Sequence, residues 1–136
     1  MRRIVLSCVM AAVLAGVMVQ AQAQSIKPID YETYCKLPDA EAKRTAFMET
    51  TAENRGTLVR TQLERWRDAN QARLDEKQKA TLAALIKSIT AESYADGPQG
   101  EEARVKSRAI TLEVQTLFTR EDVMAMQPSG PCIAKK

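Results

Sequence analysis

The sequence contains no histidine among its 136 residues. Histidine is the commonest general base and metal ligand at neutral pH, so its absence removes every Ser-His and Cys-His arrangement for nucleophilic catalysis. The chain also lacks a glycine-rich phosphate loop, a CxxC pair and an aspartate-rich calcium loop. We therefore expect no cofactor, no metal site and no enzymatic activity.

Paired acidic residues leave one enzymatic alternative. They occur at Asp75-Glu76, Glu101-Glu102 and Glu121-Asp122, and two carboxylates can hydrolyse a glycosidic bond. Each pair stands at the start of a predicted helix, where carboxylates cap the backbone and interact favourably with the helix dipole. We interpret the pairs as structural, and an uncharacterised carboxylate-based hydrolase is the alternative.

An excess of charge of one sign is also absent. The whole chain has 20 basic and 17 acidic residues, for a net charge of +3. Without Arg2 and Arg3, which fall in a segment we expect to be removed, 18 basic residues face 17 acidic ones and the net charge is +1. A chain this close to neutral does not indicate the basic surface that binds phosphates, so we expect no nucleic-acid partner.

The N-terminal segment has the three parts of a secretory signal peptide. Arg2 and Arg3 precede an uncharged apolar run over residues 4–19, and Ala21-Gln22-Ala23 follows it. We predict cleavage after Ala23, so that residues 1–23 form the signal peptide and residues 24–136 a single helical domain. The alternative is one uncleaved membrane anchor. Cleavage would leave an exported protein, periplasmic or secreted, without a stable membrane anchor.

Two cysteines follow the predicted cleavage site, Cys35 and Cys132. Exported proteins fold in an oxidising compartment, where such a pair favours a disulfide. We predict a Cys35–Cys132 bridge that joins the two ends of the domain. Two free thiols or pairing between molecules are the alternatives.

No segment shows the period-two alternation of a strand, and we predict an all-α fold: a small helical bundle of three main helices and several short ones. The clearest helix is the stretch Leu74–Tyr94. Asp75 and Gln78 have the spacing of a capping box at its start. Its apolar stripe consists of Leu82, Leu85, Ile86 and Ile89.

The other two main helices are predicted on either side of this one. The first runs from a Thr50–Glu53 capping box to about Asn70. Its apolar face includes Val59, Leu63 and Trp66, with Trp66 as a core residue. The second begins at Glu101, after a loop over residues 96–100, and ends at Phe118. Its predicted core face is Val105, Ala109, Leu112 and Phe118, widened by Ile110, Val114 and Leu117.

Three short helices complete the prediction, over residues 31–37, 40–49 and 120–126. Thr119 and Asp122 have the spacing to cap the last of them. In the helix over residues 40–49, we expect an apolar edge to face the domain and the basic side chains to point outward. The edge is Ala42, Ala46 and Phe47, and the outward residues are Lys43 and Arg44.

One order of residues across these helices resembles a known family. It consists of Phe47, then Leu63-Glu64-Arg65-Trp66, Asn70, Leu74-Asp75-Glu76-Lys77-Gln78 and Ile89-Thr90-Ala91-Glu92-Ser93-Tyr94. Over residues 39–126 it resembles the helical region of fulvocin C-related bacteriocin family proteins. The resemblance implies a secreted, bacteriocin-like effector that acts on a protein partner or a target cell. Many members follow this region with a cysteine-rich tail, whereas this chain ends in Pro131-Cys132-Ile133-Ala134-Lys135-Lys136.

A second resemblance is to periplasmic chaperones and stress sensors of the Spy and CpxP type. Their helices open with a Leu-Thr-x-x-Gln motif, which Leu74-Asp75-Glu76-Lys77-Gln78 resembles with Asp75 in place of the threonine. This resemblance implies a binding protein that holds unfolded or partner proteins on a helical surface, without a cofactor.

Overall fold

The computed structural model describes residues 28–136, which form an all-α fold without a β-strand. The predicted signal peptide lies outside the described residues. Six α-helices follow one another: α1 (Tyr31–Cys35), α2 (Ala40–Glu49), α3 (Ala52–Asn70), α4 (Glu76–Ser88), α5 (Pro98–Leu117) and α6 (Arg120–Met126). Two short 3-10 helices, Gln71–Arg73 and Ala91–Tyr94, lie on either side of α4. Within this part of the chain, no helix is both long and apolar enough to cross a bilayer.

Side-chain caps fix most helix starts. Asp75 accepts a bond from the Gln78 amide at 2.7 Å, and the Gln78 side chain accepts one from the Asp75 amide at 3.0 Å. This confirms the predicted capping box of α4. The bounds predicted for α2 and α6 are also confirmed, and Asp39 and Thr119 cap them.

The cap predicted for α3 is wrong by one residue. The side chain of Thr51 accepts a bond from the Asn54 amide at 3.1 Å, so Thr51 is the N-cap in place of Thr50. Both threonines precede an acidic residue by two or three positions, and either can cap by its side chain. The structure therefore shifts the start of the helix without changing the face that it buries.

α4 ends six residues earlier than predicted. The helix stops at Ser88, and the Ala91–Tyr94 segment forms a 3-10 turn. Ser93 explains the break, because its hydroxyl accepts a bond from the Thr90 amide at 3.1 Å and donates to the Ser88 carbonyl at 3.3 Å. Serine and threonine hydroxyls compete in this way with helical backbone bonds. Gly56 of α3 lets the turn approach, since a Cβ there would lie 3.1 Å from the Thr90 carbonyl oxygen.

α5 differs from the prediction at both its start and its core face. It begins at Pro98, inside the expected loop, because proline is tolerated in the first turn of a helix. Gly97, directly before it, adopts a positive φ of 83°. The predicted core residues Val105, Ala109 and Leu112 are exposed. The rest of the predicted face is confirmed: Val114 is buried, Ile110 and Leu117 are partly buried beside it, and Phe118 is buried just after the helix.

Two hydrophobic clusters hold the fold together. The main core gathers residues from α3, α4, α5 and α6: Leu63, Trp66, Leu74, Leu82, Leu85, Ile86, Ile89, Val114, Phe118 and Met126. The smaller cluster consists of Tyr31, Tyr34 and Leu58, with α2 residues Ala46 and Phe47 packed against it. The predicted disulfide is confirmed: Cys35 and Cys132 are bonded, with their Cα atoms 5.8 Å apart. It ties the C-terminal segment to α1.

Candidate functional site

An open apolar groove lies where the two clusters meet. Its cavity has a volume of about 580 Å³. Buried aliphatic side chains of the main core line it, and we call them the floor of the groove: Leu63, Leu85, Ile89, Val114 and Met126. Of the predicted core stripe, Leu82 and Ile86 are buried away from the groove, whereas Leu85 and Ile89 belong to its floor together with Leu63.

One wall of the groove is a face of α2. Ala40, Lys43, Arg44 and Phe47 all line it, and their spacing of three, one and three places them on one side of the helix. The expectation that Lys43 points outward is wrong, because this side chain is half-buried and its Nζ lies 3.7 Å from Cys132 Sγ. Lysine and arginine can bury their aliphatic stems and still keep their charge near water.

No residue of α2 is fully buried. The helix is held near its C-terminal end: the Arg55 side chain donates to the Phe47 carbonyl at 2.8 Å, and Phe47 packs edge-to-face on Tyr94 with the ring centres 5.8 Å apart. α2 thus forms a wall of the groove without filling it.

The segment after α6 also lines the groove. Pro128 and Ser129 line the groove, and the Tyr34 hydroxyl donates to the Pro128 carbonyl at 3.3 Å. The Cys35–Cys132 bridge anchors the same segment a few residues further on. The shape of the groove therefore depends on contacts between the two ends of the described chain.

The charges around the groove are of one sign. Its lining includes the two cations Lys43 and Arg44, and none of its lining residues is an aspartate or glutamate. Burial raises the pKa of Tyr94, and burial together with the neighbouring Tyr31 raises the pKa of Tyr34. Both phenols therefore stay neutral near pH 7, and the only formal charges that line the groove are positive.

The three acidic pairs lie elsewhere, each at a helix start. Glu76 belongs to the first turn of α4, Glu101 to that of α5, with Glu102 directly after it, and the Asp122 pair to that of α6. Arg73 donates to Asp122 at 2.6 Å and lowers the pKa of that carboxyl. Lys106 pairs with Glu102 at 2.8 Å and lowers its pKa in the same way. None of the three pairs lines the groove.

Trp66 lies in the main core rather than in the groove. It is 3% exposed, and its ring meets that of Phe118 edge-to-face at 5.7 Å. The Arg73 guanidinium lies 5.1 Å from the centre of the indole. Among residues 28–136, no group of three or more histidine, cysteine or acidic side chains is arranged to hold a metal ion.

The face of α2 that lines the groove is the feature that sequence reasoning missed. The spacing of positions 40, 43, 44 and 47 is a helical face, but two of its four members are charged. A search for apolar periodicity alone predicts that such a face is exposed to solvent. Long basic side chains flanked by alanine and phenylalanine at helical spacing were the signal that could have identified it.

The chain matches no family model, no curated protein and no solved structure. The groove itself is suited to binding: it offers a recessed apolar surface and positive charge at its edge, and no carboxylate or histidine lines it.

Proposed function

We propose that this protein is an exported, non-enzymatic binding protein that holds a small apolar molecule in the groove. The observation that carries the proposal is the groove itself, a cavity of about 580 Å³ with an aliphatic floor. Pockets that enclose small ligands have volumes on the order of 300–1,000 Å³, and most of their lining is apolar. Export is proposed from the N-terminal sequence pattern alone.

A matched pair of threonines on α5 allows a direct test. Thr111 lines the groove, whereas Thr116, also exposed, does not. Both hydroxyls donate to a carbonyl of the same helix, Thr111 to Ser107 at 2.9 Å and Thr116 to Glu113 at 2.7 Å. Replacing either one by glutamate loses the same kind of bond and adds the same charge.

The first prediction concerns the neutral fluorescent probe N-phenyl-1-naphthylamine, titrated into protein purified from the exported fraction. We expect saturable fluorescence enhancement with the native protein and an affinity about tenfold lower for Thr111→Glu, because a hydrated carboxylate opposes the burial of an apolar ligand. Thr116→Glu should bind like the native protein. Absence of saturable binding, or equal affinities for the two variants, would refute the proposal.

Two further assays on the same purified protein test the chaperone role and the bacteriocin-like role that the resemblances imply. The exposed α5 residues Val105 and Leu112, 58% and 56% exposed, offer an apolar stripe of the kind that a client-binding chaperone would use. Suppressed aggregation of an unfolding client, without probe binding, would favour that role over a small-molecule ligand. Growth inhibition of neighbouring bacterial strains, again without probe binding, would favour the bacteriocin-like role.

A further inference from the structure

The positive charges at the groove have no ion-pair partner among the described residues. Lys43 Nζ lies near Cys132 Sγ and 5.9 Å from the centre of the Tyr34 ring, and neither neighbour carries a negative charge. Arg44 is exposed, and none of the ion pairs found within residues 28–136 includes it or Lys43. Among the described residues that line the groove, these two cations are the charged side chains, so they contribute a positive potential to its lining.

The two cations lie at the edge of the apolar surface rather than in its centre. Arg44 is exposed and Lys43 half-buried, whereas the floor residues Leu63, Val114 and Met126 are each at most 4% exposed. A molecule that fits both regions has an apolar body for the floor and a negative group for the edge. Guanidinium and ammonium groups bind carboxylates and other oxyanions through charge-assisted hydrogen bonds.

We infer that the groove binds a free, single-chain amphiphile with an anionic head group, whose head is held by Lys43 and Arg44 and whose hydrocarbon chain lies on the floor. This inference rests on the proposed function and specifies its ligand class. The ligand is free rather than part of a bilayer because the floor residues Leu63, Val114 and Met126 are each at most 4% exposed, so that a hydrocarbon chain has to leave the membrane to lie against them.

The second prediction compares ligands with the same chain length and opposite charge. Dodecanoate and dodecyltrimethylammonium, each below its micellar concentration, are titrated by displacement of N-phenyl-1-naphthylamine. We expect the native protein to bind dodecanoate about tenfold more tightly than dodecyltrimethylammonium. The carboxylate would pair with Lys43 and Arg44, and two partly exposed ion pairs contribute an effect of this order. Lys43→Gln/Arg44→Gln should lose that preference.

Two further variants control for net charge and for folding. Lys77→Gln/Arg108→Gln removes two exposed cations that do not line the groove and should keep the preference for dodecanoate. Lys43→Arg/Arg44→Lys keeps both charges on α2 and should keep it too. Circular dichroism melts of all variants establish that a lost preference does not arise from unfolding.

The possible failures are distinguishable. Equal binding of the two amphiphiles by a native protein that still binds the neutral probe would overturn the anionic ligand and leave the proposed function standing. Failure to bind the neutral probe as well would overturn both. If the protein sediments with phosphatidylglycerol vesicles but does not bind monomeric dodecanoate, the inference of a free ligand is wrong and the groove binds an anionic membrane surface.

Discussion

Gln62 is the polar residue that joins the separate parts of this fold. It is fully buried on α3, and its side-chain amide donates to the Ala125 carbonyl at 2.8 Å and to the Pro131 carbonyl at 3.0 Å. Its carbonyl oxygen accepts a bond from the Tyr31 hydroxyl. The same hydroxyl accepts a bond from the Ile133 amide at 3.2 Å. One side chain thus connects α1, α3, α6 and the C-terminal segment.

The third prediction is that Gln62→Leu lowers the free energy of unfolding by about 1–3 kcal/mol. Leucine has a similar volume but leaves buried carbonyl groups and the Tyr31 hydroxyl without their partner, and such groups carry a desolvation cost of this size. Urea unfolding followed by circular dichroism measures it. Gln115→Leu on the exposed side of α5 is the control and should change stability by less than about 0.5 kcal/mol. Equal stabilities of the two variants would show that the network is dispensable.

The sequence could not have identified Gln62. A glutamine beside Leu63 looks like an ordinary helix surface position, and its bonding partners Ala125 and Pro131 lie 63 and 69 residues away. The caps were predictable because an Asp75–Gln78 pair acts within one helical turn. Bonds between distant residues form only after the chain has folded, so local spacing does not reveal them.

α5 shows the same limit for a whole helix. Its sequence carries two apolar stripes on opposite sides, one through Val105 and Leu112 and the other through Ile110, Val114 and Leu117. Periodicity establishes that both exist, but it does not decide which one the neighbouring helices cover. The prediction placed both stripes on one core face, whereas the structure covers only the second. The helical class and most helix starts were predictable, whereas the packing face of α5 was not.

The fourth prediction compares one leucine from each kind of surface. Leu85→Ala on α4 should cost about 2–5 kcal/mol of unfolding free energy, since this side chain is 8% exposed and its removal leaves a cavity in the main core. Leu112→Ala on α5, where the leucine is 56% exposed, should cost less than about 0.5 kcal/mol. Urea unfolding of both variants checks this. A large loss at Leu112 would mean that a partner covers the α5 stripe.

The groove lies between the two hydrophobic clusters that residues 28–136 form. α2 packs on the small cluster around Tyr34 through Ala46 and Phe47, and Phe47 also lines the groove together with Ala40, Lys43 and Arg44. The chain between α6 and Cys132 also lines the groove and is held by the Tyr34 hydroxyl and the disulfide. If the two clusters were merged into one core, the space of the groove would be filled. The groove therefore follows from the division of the core.

The disulfide should therefore support both stability and binding, which is the fifth prediction. It closes a loop with a sequence separation of 97 residues, and chain-entropy models give at most about 4–5 kcal/mol for a loop of that length. We expect dithiothreitol, or Cys35→Ser/Cys132→Ser, to lower the urea midpoint and to weaken probe binding, because Pro128 would no longer be held against Tyr34. The oxidised native protein is the control, and mass spectrometry counts its free thiols. Unchanged unfolding and binding after reduction would show that Gln62 and Tyr34 hold the C-terminal segment without the bridge.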